Sequence, residues 1–225
     1  MDSFKLKEDT IIVFDFDGTM GHLFANYDLS SIVMYLHQTM KTFDIDFDIS
    51  YDAFDVFKVI IDKTHDDILK KEKALIVADT ILTNAEIEAV ETCKLINGVN
   101  EVIPYLIKRG YRIGIATNNS KECVLSFLNK YCDGLDLMIV GRNRLHPELM
   151  KPNTWALDKV IKDLDGLPIN TIFIGDNKRD YICAKKVGCK FLGLVSNEKK
   201  KEGLKDLLMP SQMVVDYFDL LHVLL

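Results

Sequence analysis

The chain contains 225 residues, of which 48% are apolar and 28% charged, a balance typical of a globular protein. Its net charge of −6 does not favour a nucleic-acid-binding surface, and no apolar run approaches the length of a membrane span. Residues 1–10 carry no apolar signal segment, and the five cysteines lack the spacing of a zinc site. We therefore expect a cytoplasmic protein with reduced thiols that binds neither nucleic acid nor a membrane.

Short apolar runs, several of them rich in β-branched residues, predict the buried strands of a parallel sheet. They cover residues 10–15, 111–116, 135–140, 171–174 and 191–195. Helical apolar spacing lies between the later strands, at residues 100–108, 120–131, 152–164 and 178–187. Strands that alternate with helices of this length favour βαβ units, so we predict an α/β fold with a Rossmann-like parallel sheet.

The segment after the first predicted strand breaks this alternation. Residues 21–98 carry 14 acidic and seven basic side chains, and their apolar spacing predicts only helices, at 30–40, 51–69, 71–82 and 85–95. The turn signal Asn97-Gly98 marks the return to the α/β pattern. We therefore predict two domains, an α/β core of residues 1–20 and 98–225 and an inserted α-helical cap of residues 21–97.

Four polar segments follow predicted strands or begin the next helix, where an open α/β sheet binds its ligands. They are residues 15–19 (DFDGT), 117–119 (TNN), 151–152 (KP) and 175–180 (GDNKRD). We expect these four segments to meet in one site.

The residue types in these segments suit phosphoryl transfer. Asp15, Asp17 and Asp176 offer a small number of hard oxygen ligands, which suits Mg²⁺ that also keeps waters and a substrate phosphate. Asp15 ends a strand, where a carboxylate can be fixed in line with a phosphorus atom and accept a phosphoryl group. Thr117 and the amides after it can donate to phosphate oxygens, and Lys151 supplies a compact positive charge.

The four motifs, in this order, resemble the pattern of the haloacid dehalogenase-like (HAD) hydrolase superfamily: DxDGT, then Thr or Ser at a strand end, then Lys, then GDxxxD. The chain is most similar to the phosphoglycolate-phosphatase-like branch, which has a helical cap inserted after the first motif. This resemblance implies a Mg²⁺-dependent phosphatase that hydrolyses a small-molecule phosphomonoester. The sequence leaves open whether the chain is a monomer or a homodimer.

The resemblance also implies roles for the acidic residues. Asp15 would attack phosphorus to form an aspartyl-phosphate, and Asp17 would protonate the leaving oxygen and later deprotonate the hydrolytic water. Mg²⁺ would bind the carboxylates of Asp15 and Asp176 and the backbone carbonyl of Asp17. Asp180 would hold metal-bound waters or Lys151 in place.

The remaining implied roles concern the substrate. Thr117 and Asn118 would bind the phosphate, and Lys151 would neutralise charge on the nucleophile and on the transferred group. In many relatives an acidic residue follows DGT closely, whereas this chain has Met20-Gly21-His22. The pocket near His22 is therefore expected to differ from that of those relatives.

Three other functions share parts of this pattern. A sugar phosphomutase would have every core motif and would return the phosphoryl group to a sugar instead of water. A dehalogenase needs neither Mg²⁺ nor an acid/base two residues after the nucleophile, so Asp17 and Asp176 argue against it. A catalytically idle binding protein on this fold would have lost its nucleophile or metal ligands, and none is lost here.

Overall fold

A computed structural model describes residues 4–48 and 52–225. Its described strands are β1 (Ile11–Phe14), β2 (Gly21–His22), β3 (Lys94–Leu95), β4 (Arg112–Ala116), β5 (Met138–Val140), β6 (Thr171–Gly175), β7 (Lys190–Leu194) and β8 (Met213–Val214). Six of them form one sheet in the order β5-β4-β1-β6-β7-β8, with parallel pairing throughout. β1 lies inside this sheet, and its four side chains are fully buried.

The sheet confirms the predicted α/β fold class, with differences at the strand ends. The strand predicted over residues 135–140 begins only at Met138, because Asp133 and Gly134 have left-handed backbone and the chain is still turning at Leu135. β2, β3 and β8 were not predicted. Each has two residues, which is too few to produce a recognisable apolar pattern.

The described α-helices surround the sheet or lie in the segment after β1. They are α1 (Leu29–Lys41), α2 (Asp55–Lys63), α3 (Ile68–Val90), α4 (Val99–Lys108), α5 (Lys121–Tyr131), α6 (Trp155–Asp163), α7 (Lys178–Val187), α8 (Glu198–Leu204) and α9 (Tyr217–Leu224). The side chains of Asp28, Ser120 and Asn177 cap α1, α5 and α7 by accepting from the first backbone N–H groups. Within the described residues, no helix is long and apolar enough to cross a membrane.

Three of the four helix predictions in the insertion were wrong in their bounds. The helix predicted over residues 51–69 is interrupted after α2, because Asp67 accepts from Lys70 N at 2.9 Å and begins α3; Tyr51 lies outside the described residues. The helices predicted over residues 71–82 and 85–95 merge into the single helix α3, which ends at Val90, and residues 94–95 form strand β3 instead. The polar pair Thr83 and Asn84 does not break α3, since buried neighbours on both sides hold the helix against the protein.

Among the residues that the structure describes, buried apolar side chains form three clusters. The side chains of β1 alternate between two of them, with Ile12 and Phe14 on one face of the sheet and Ile11 and Val13 on the other. The third cluster lies among α1, α2 and the first part of α3, so the insertion has an apolar core of its own. The last turn of α3 joins the cluster on the sheet, and β2 pairs with β3 where the insertion leaves and returns. The division into a core and a cap domain stays a prediction.

Candidate active site

The first polar segment turns sharply away from the end of β1. Asp15 N donates to Ile174 O at 2.8 Å, so the pairing with β6 continues one residue further and fixes Asp15 at the carboxyl edge of the sheet. Gly18 has φ +84°, and a Cβ at this position would overlap the Asp176 carboxylate. Glycine satisfies both demands, since it adopts this backbone readily and has no side chain. The first and fourth motifs are therefore packed directly against each other.

Asp15 is buried beside the Lys151 ammonium group. Lys151 Nζ donates to Asp15 Oδ1 at 2.5 Å and lies 2.7 Å from Asp180 Oδ1. Burial alone would lower the pKa of Lys151, but the Asp15 and Asp180 carboxylates raise it above its ordinary value. Lys151 therefore stays protonated, and it links the first, third and fourth motifs.

The fourth motif folds its second aspartate back beneath its first. Asn177 Oδ1 accepts from Arg179 N and Asp180 N at the start of α7. Asp180 Oδ2 then accepts from Asp176 N at 3.2 Å. A Cβ added to Gly175 would meet the Asp180 carboxylate at 2.7 Å, so this close approach also requires glycine.

Three carboxylates converge at this edge of the sheet. Asp15, Asp176 and Asp180 each offer an oxygen within 4.8 Å of the other two. Burial raises the pKa of Asp180, and the neighbouring Asp15 charge raises it further. Hard carboxylate oxygens in excess of the local positive charge are the ligands that divalent cations prefer. The donor set therefore fits a divalent metal ion.

Asp17 lies beside this cluster with its side chain partly open to the cavity. Its Oδ1 accepts from Leu23 N at 2.9 Å, which fixes the carboxylate relative to the segment after the DGT motif. Burial raises the pKa of Asp17 to about 7, and the Asp15 and Asp176 carboxylates add to this rise against the effect of the Leu23 bond. An acid with such a pKa can give up and take back a proton near neutral pH.

The second polar segment places its three residues differently. The Thr117 hydroxyl is buried and bonds Asn119, accepting from its backbone N–H and donating to its Oδ1, each at 3.1 Å. Asn118 and Asn119 line the cavity. Asn118 Oδ1 accepts from Lys151 N at 2.7 Å, and Asn118 Nδ2 donates to Lys151 O at 3.2 Å. The predicted phosphate-binding roles of Thr117 and Asn118 stay predictions, as do the other residue roles.

Lys200 is a site residue that the sequence did not reveal. Its ammonium group pairs with Asp176 Oδ2 and donates to Gly18 O at 2.6 Å, so a cation from α8 already contacts this acidic corner. His22 lies nearby, with its Nε2 3.2 Å from Ser196 Oγ. Burial lowers the pKa of His22, and Lys200 lowers it further. The local sequence of Lys200 is a run of three lysines, which is typical of a solvated surface.

Glu86 and Arg142 form a second arrangement that the motifs did not indicate. Glu86 lies on α3 and is completely buried, and Arg142 follows β5 with a fully buried side chain. The sequence did contain a signal for Glu86. It lies four residues after Leu82 and three before Ala89, on the apolar stripe of its own helix.

The side chains of the four motifs line a cavity of about 630 Å³. Asp15, Asp17, Lys151, Asp176 and Asp180 line it from the core, and Phe54 lines it from the insertion. Exposed Lys178, Arg179 and Lys199 lie at its mouth, and within residues 4–48 and 52–225 none of these three has an ion-pair partner.

Comparisons with known proteins show which proteins the chain is similar to. Residues 12–194 match the family model described as haloacid dehalogenase-like hydrolase. A pyrophosphatase, PpaX, from Bacillus cereus strain Q1 is 26% identical over 97% of both chains. Two similar crystal structures are a predicted phosphoglycolate phosphatase from Haemophilus somnus (TM-score 0.63, 18% identity, 96% of this chain and 98% of that one) and a β-phosphoglucomutase from Clostridium difficile (TM-score 0.60, 16% identity, 92% and 91%).

The sheet order, the position of the acidic cluster and the extent of the family match define a class of protein. The chain belongs to the haloacid dehalogenase-like hydrolase family. The predicted family, and with it the prediction of a hydrolytic enzyme, is confirmed. The two crystal structures, at their low identity, support the fold alone.

Proposed function

We propose that the chain is a phosphatase that hydrolyses a small phosphorylated metabolite through an aspartyl-phosphate on Asp15. The observation that carries this proposal is the setting of Asp15, a buried carboxylate at the end of a central strand. It is held by the Lys151 ammonium group and faces a cavity that a small molecule can enter.

The first half of the reaction moves the phosphoryl group to the enzyme. An Asp15 oxygen attacks phosphorus, the bond from phosphorus to the leaving oxygen breaks, and Asp17 gives its proton to that oxygen. Lys151 Nζ, 2.5 Å from Asp15 Oδ1, balances the negative charge on Asp15 and would also balance that on the transferred group. The pKa of Asp17, about 7, suits this donation because a large fraction of the group is protonated near neutral pH.

The second half releases inorganic phosphate. Asp17, now ionised, removes a proton from a water molecule that attacks phosphorus, and the acyl-phosphate bond to Asp15 breaks. The carboxylate of Asp15 and the proton on Asp17 are thereby restored. Both steps need Asp17 to stay close to the reacting oxygen, and its bond from Leu23 N provides that restraint.

We also propose that Mg²⁺ is the metal, bound by the Asp15 and Asp176 carboxylates and the backbone carbonyl of Asp17. Bound there, it would neutralise charge on the phosphoryl oxygens and shield the nucleophile from them. Asp180 belongs to the same acidic cluster and holds Lys151, so its role would be to fix both the ammonium group and the metal's surroundings.

The mouth of the cavity supports a substrate with a second anionic group. Lys178, Arg179 and Lys199 are exposed and unpaired within the described residues, while every acid that lines the cavity belongs to the catalytic cluster. Pyrophosphate and phosphoglycolate each carry a second anionic group, and the names of two similar proteins point to these compounds. These two compounds are therefore the first to be tried.

The test is release of inorganic phosphate from p-nitrophenyl phosphate, pyrophosphate and 2-phosphoglycolate with Mg²⁺ present. Asp15→Asn should abolish turnover, and Asp163→Asn on the exposed face of α6 is the matched control. Activity of Asp15→Asn at the wild-type rate would contradict the mechanism. Isomerisation of a sugar phosphate would instead indicate a phosphomutase, and tight ligand binding without turnover would indicate an idle binding protein. The cytoplasmic location and the choice between monomer and homodimer stay predictions.

A further inference from the structure

Arg142 uses all of its guanidinium nitrogens in buried contacts with the insertion and the core. Toward α3, Nε donates to Asp79 Oδ1 at 2.7 Å, Nη1 to Glu86 Oε1 at 2.9 Å and Nη2 to Thr83 Oγ1 at 3.2 Å. Toward the core, Nη1 also donates to Asn118 O at 3.0 Å. One side chain therefore bonds residues on three successive turns of α3 and also bonds the second motif.

Glu86 reinforces the same connection from the other side. Its Oε1 accepts from Asn119 Nδ2 at 3.1 Å, and its Oε2 accepts from Ser120 N at 2.9 Å. Ser120 is the residue that caps α5. A carboxylate of the insertion thus holds the backbone that follows Asn118, and Arg142 neutralises that carboxylate where no water reaches it. Desolvation offsets much of the attraction within a buried ion pair. The pair of Glu86 and Arg142 therefore contributes less to the stability of the fold than to the specific geometry of the groups it holds.

The contacts continue from Asn118 to the nucleophile. The Asn118 side chain bonds both the N–H and the C=O of Lys151. The Lys151 ammonium group in turn contacts Asp15 and Asp180. A shift of the Asn118 carbonyl would therefore move the residue that holds the attacking carboxylate.

Arg142 also supports the part of the insertion that lines the cavity. The guanidinium carbon lies 5.5 Å from the centre of the Phe54 ring and 5.2 Å from that of Phe57. Both distances are in the range of cation–π contacts. Phe54 faces the cavity from the insertion, as Asn118 does from the core. Arg142 thus contacts residues on both sides of the substrate space without reaching the substrate.

We propose that Arg142 is a positioning residue that couples the docking of the helical insertion to the geometry of Asn118 and Lys151. The proposal rests on the proposed function only in taking Asp15 as the reacting group. When α3 and Phe54 are in place, the guanidinium group fixes the Asn118 carbonyl, and the Asn118 amide then fixes the backbone of Lys151. Loss of the planar guanidinium group should make residues 117–119 more mobile, even though the positive charge remains.

The test compares Arg142→Lys with Arg112→Lys. Lysine keeps the positive charge, so Glu86 is not left unpaired, but it cannot bond all the acceptors of the guanidinium group. Arg112 is a matched control because it donates to the carbonyls of Leu164, Asp165 and Asp9 at the amino end of β4, away from the site. Both variants should lose guanidinium hydrogen bonds, although those of Arg112 are more exposed, and only Arg142→Lys acts on Asn118.

The direct readout is hydrogen–deuterium exchange at the Lys151 amide, which donates to Asn118 Oδ1. We expect exchange about tenfold faster in Arg142→Lys and unchanged in Arg112→Lys, since exchange reports local opening. With Mg²⁺ present, kcat on p-nitrophenyl phosphate should fall about tenfold or more in Arg142→Lys, because small displacements of catalytic groups are costly. In Arg112→Lys, kcat should stay within about twofold of wild type.

Unchanged Lys151 exchange in Arg142→Lys would overturn the proposal, as would equal effects of the two variants on kcat. If the wild-type chain hydrolyses no phosphoester, the exchange measurement still tests the coupling, so failure of the proposed function is a separate outcome. Should Arg142→Lys not fold, Asp79→Asn removes one charged acceptor of the guanidinium group and leaves its bond to Asn118 in place. That variant should also make hydrogen–deuterium exchange at the Lys151 amide faster than in wild type. An unchanged exchange rate would likewise overturn the proposal.

Discussion

Replacement of Asp17 by Asn should stabilise the metal-free protein at neutral and alkaline pH. Burial, aided by the Asp15 and Asp176 carboxylates, raises the pKa of Asp17 from 3.8 to about 7. An acid whose pKa is higher in the folded than in the unfolded chain costs no stability below its unfolded pKa. The cost grows as the pH rises through the interval between the two values. An amide avoids this cost and can still accept the bond from Leu23 N.

The expected gain follows from the size of the pKa change. A change from 3.8 to about 7 corresponds to about 4 kcal/mol if the group is fully shielded. Part of the Asp17 side chain faces the cavity, where water screens its neighbours, so we expect about 2 kcal/mol. For a chain of this length, such a gain raises Tm by about 5 °C.

The assay is thermal unfolding in excess EDTA, followed by circular dichroism at about pH 8 and at about pH 5. Asp136→Asn, an exposed carboxylate in the loop before β5, controls for the loss of one negative charge and should leave Tm almost unchanged. The gain in Asp17→Asn should shrink to less than half at the lower pH. A Tm at or below that of wild type at the higher pH would refute the reasoning, as would a gain independent of pH.

Three further substitutions test other parts of the structure. Lys200→Met should tighten Mg²⁺ binding about fivefold by calorimetry, because a competing ion pair with Asp176 is worth about 1 kcal/mol; unchanged or weaker binding would contradict this. Gly18→Ala should abolish phosphatase activity, since its Cβ would overlap the Asp176 carboxylate, and activity near that of wild type would show that the turn adapts. Leu82→Ala, fully buried in α3, should cost about 2–5 kcal/mol in urea unfolding, whereas a cost under about 1 kcal/mol would mean that the insertion repacks.

The motif residues were predictable because their signals are local. Asp15 ends one apolar run and Asp176 follows another, so the sequence predicts that both lie at the carboxyl edge of a parallel sheet; the structure adds that the two strands are neighbours. The DGT triplet likewise indicates a sharp turn, and Gly18 has the left-handed backbone of such a turn. Position along the chain places these residues at strand ends, and the observed pairing of β1 with β6 brings them into contact.

The contacts between the insertion and the core were not predictable in this way. Arg142 and Glu86 are separated by 56 residues, and no spacing rule links a loop after β5 to a helix of the insertion. Glu86 on an apolar helix stripe predicts a buried carboxylate that needs a partner, but it does not say which cation supplies it. The contact of Lys200 with Asp176 was harder still to predict, because only the folded structure distinguishes Lys200 from the lysines beside it.

The balance of charge connects the two parts of the site. The carboxylates of Asp15, Asp176 and Asp180 share this edge of the sheet with the ammonium groups of Lys151 and Lys200, and burial raises the pKa of both Asp17 and Asp180. A phosphate dianion would lie directly against these carboxylates unless a divalent cation first occupies the cluster. The metal should therefore bind before the substrate. Because the contacts of Arg142 with the insertion also fix Asn118 and Lys151, docking of the insertion would hold the positive charge of Lys151 beside Asp15.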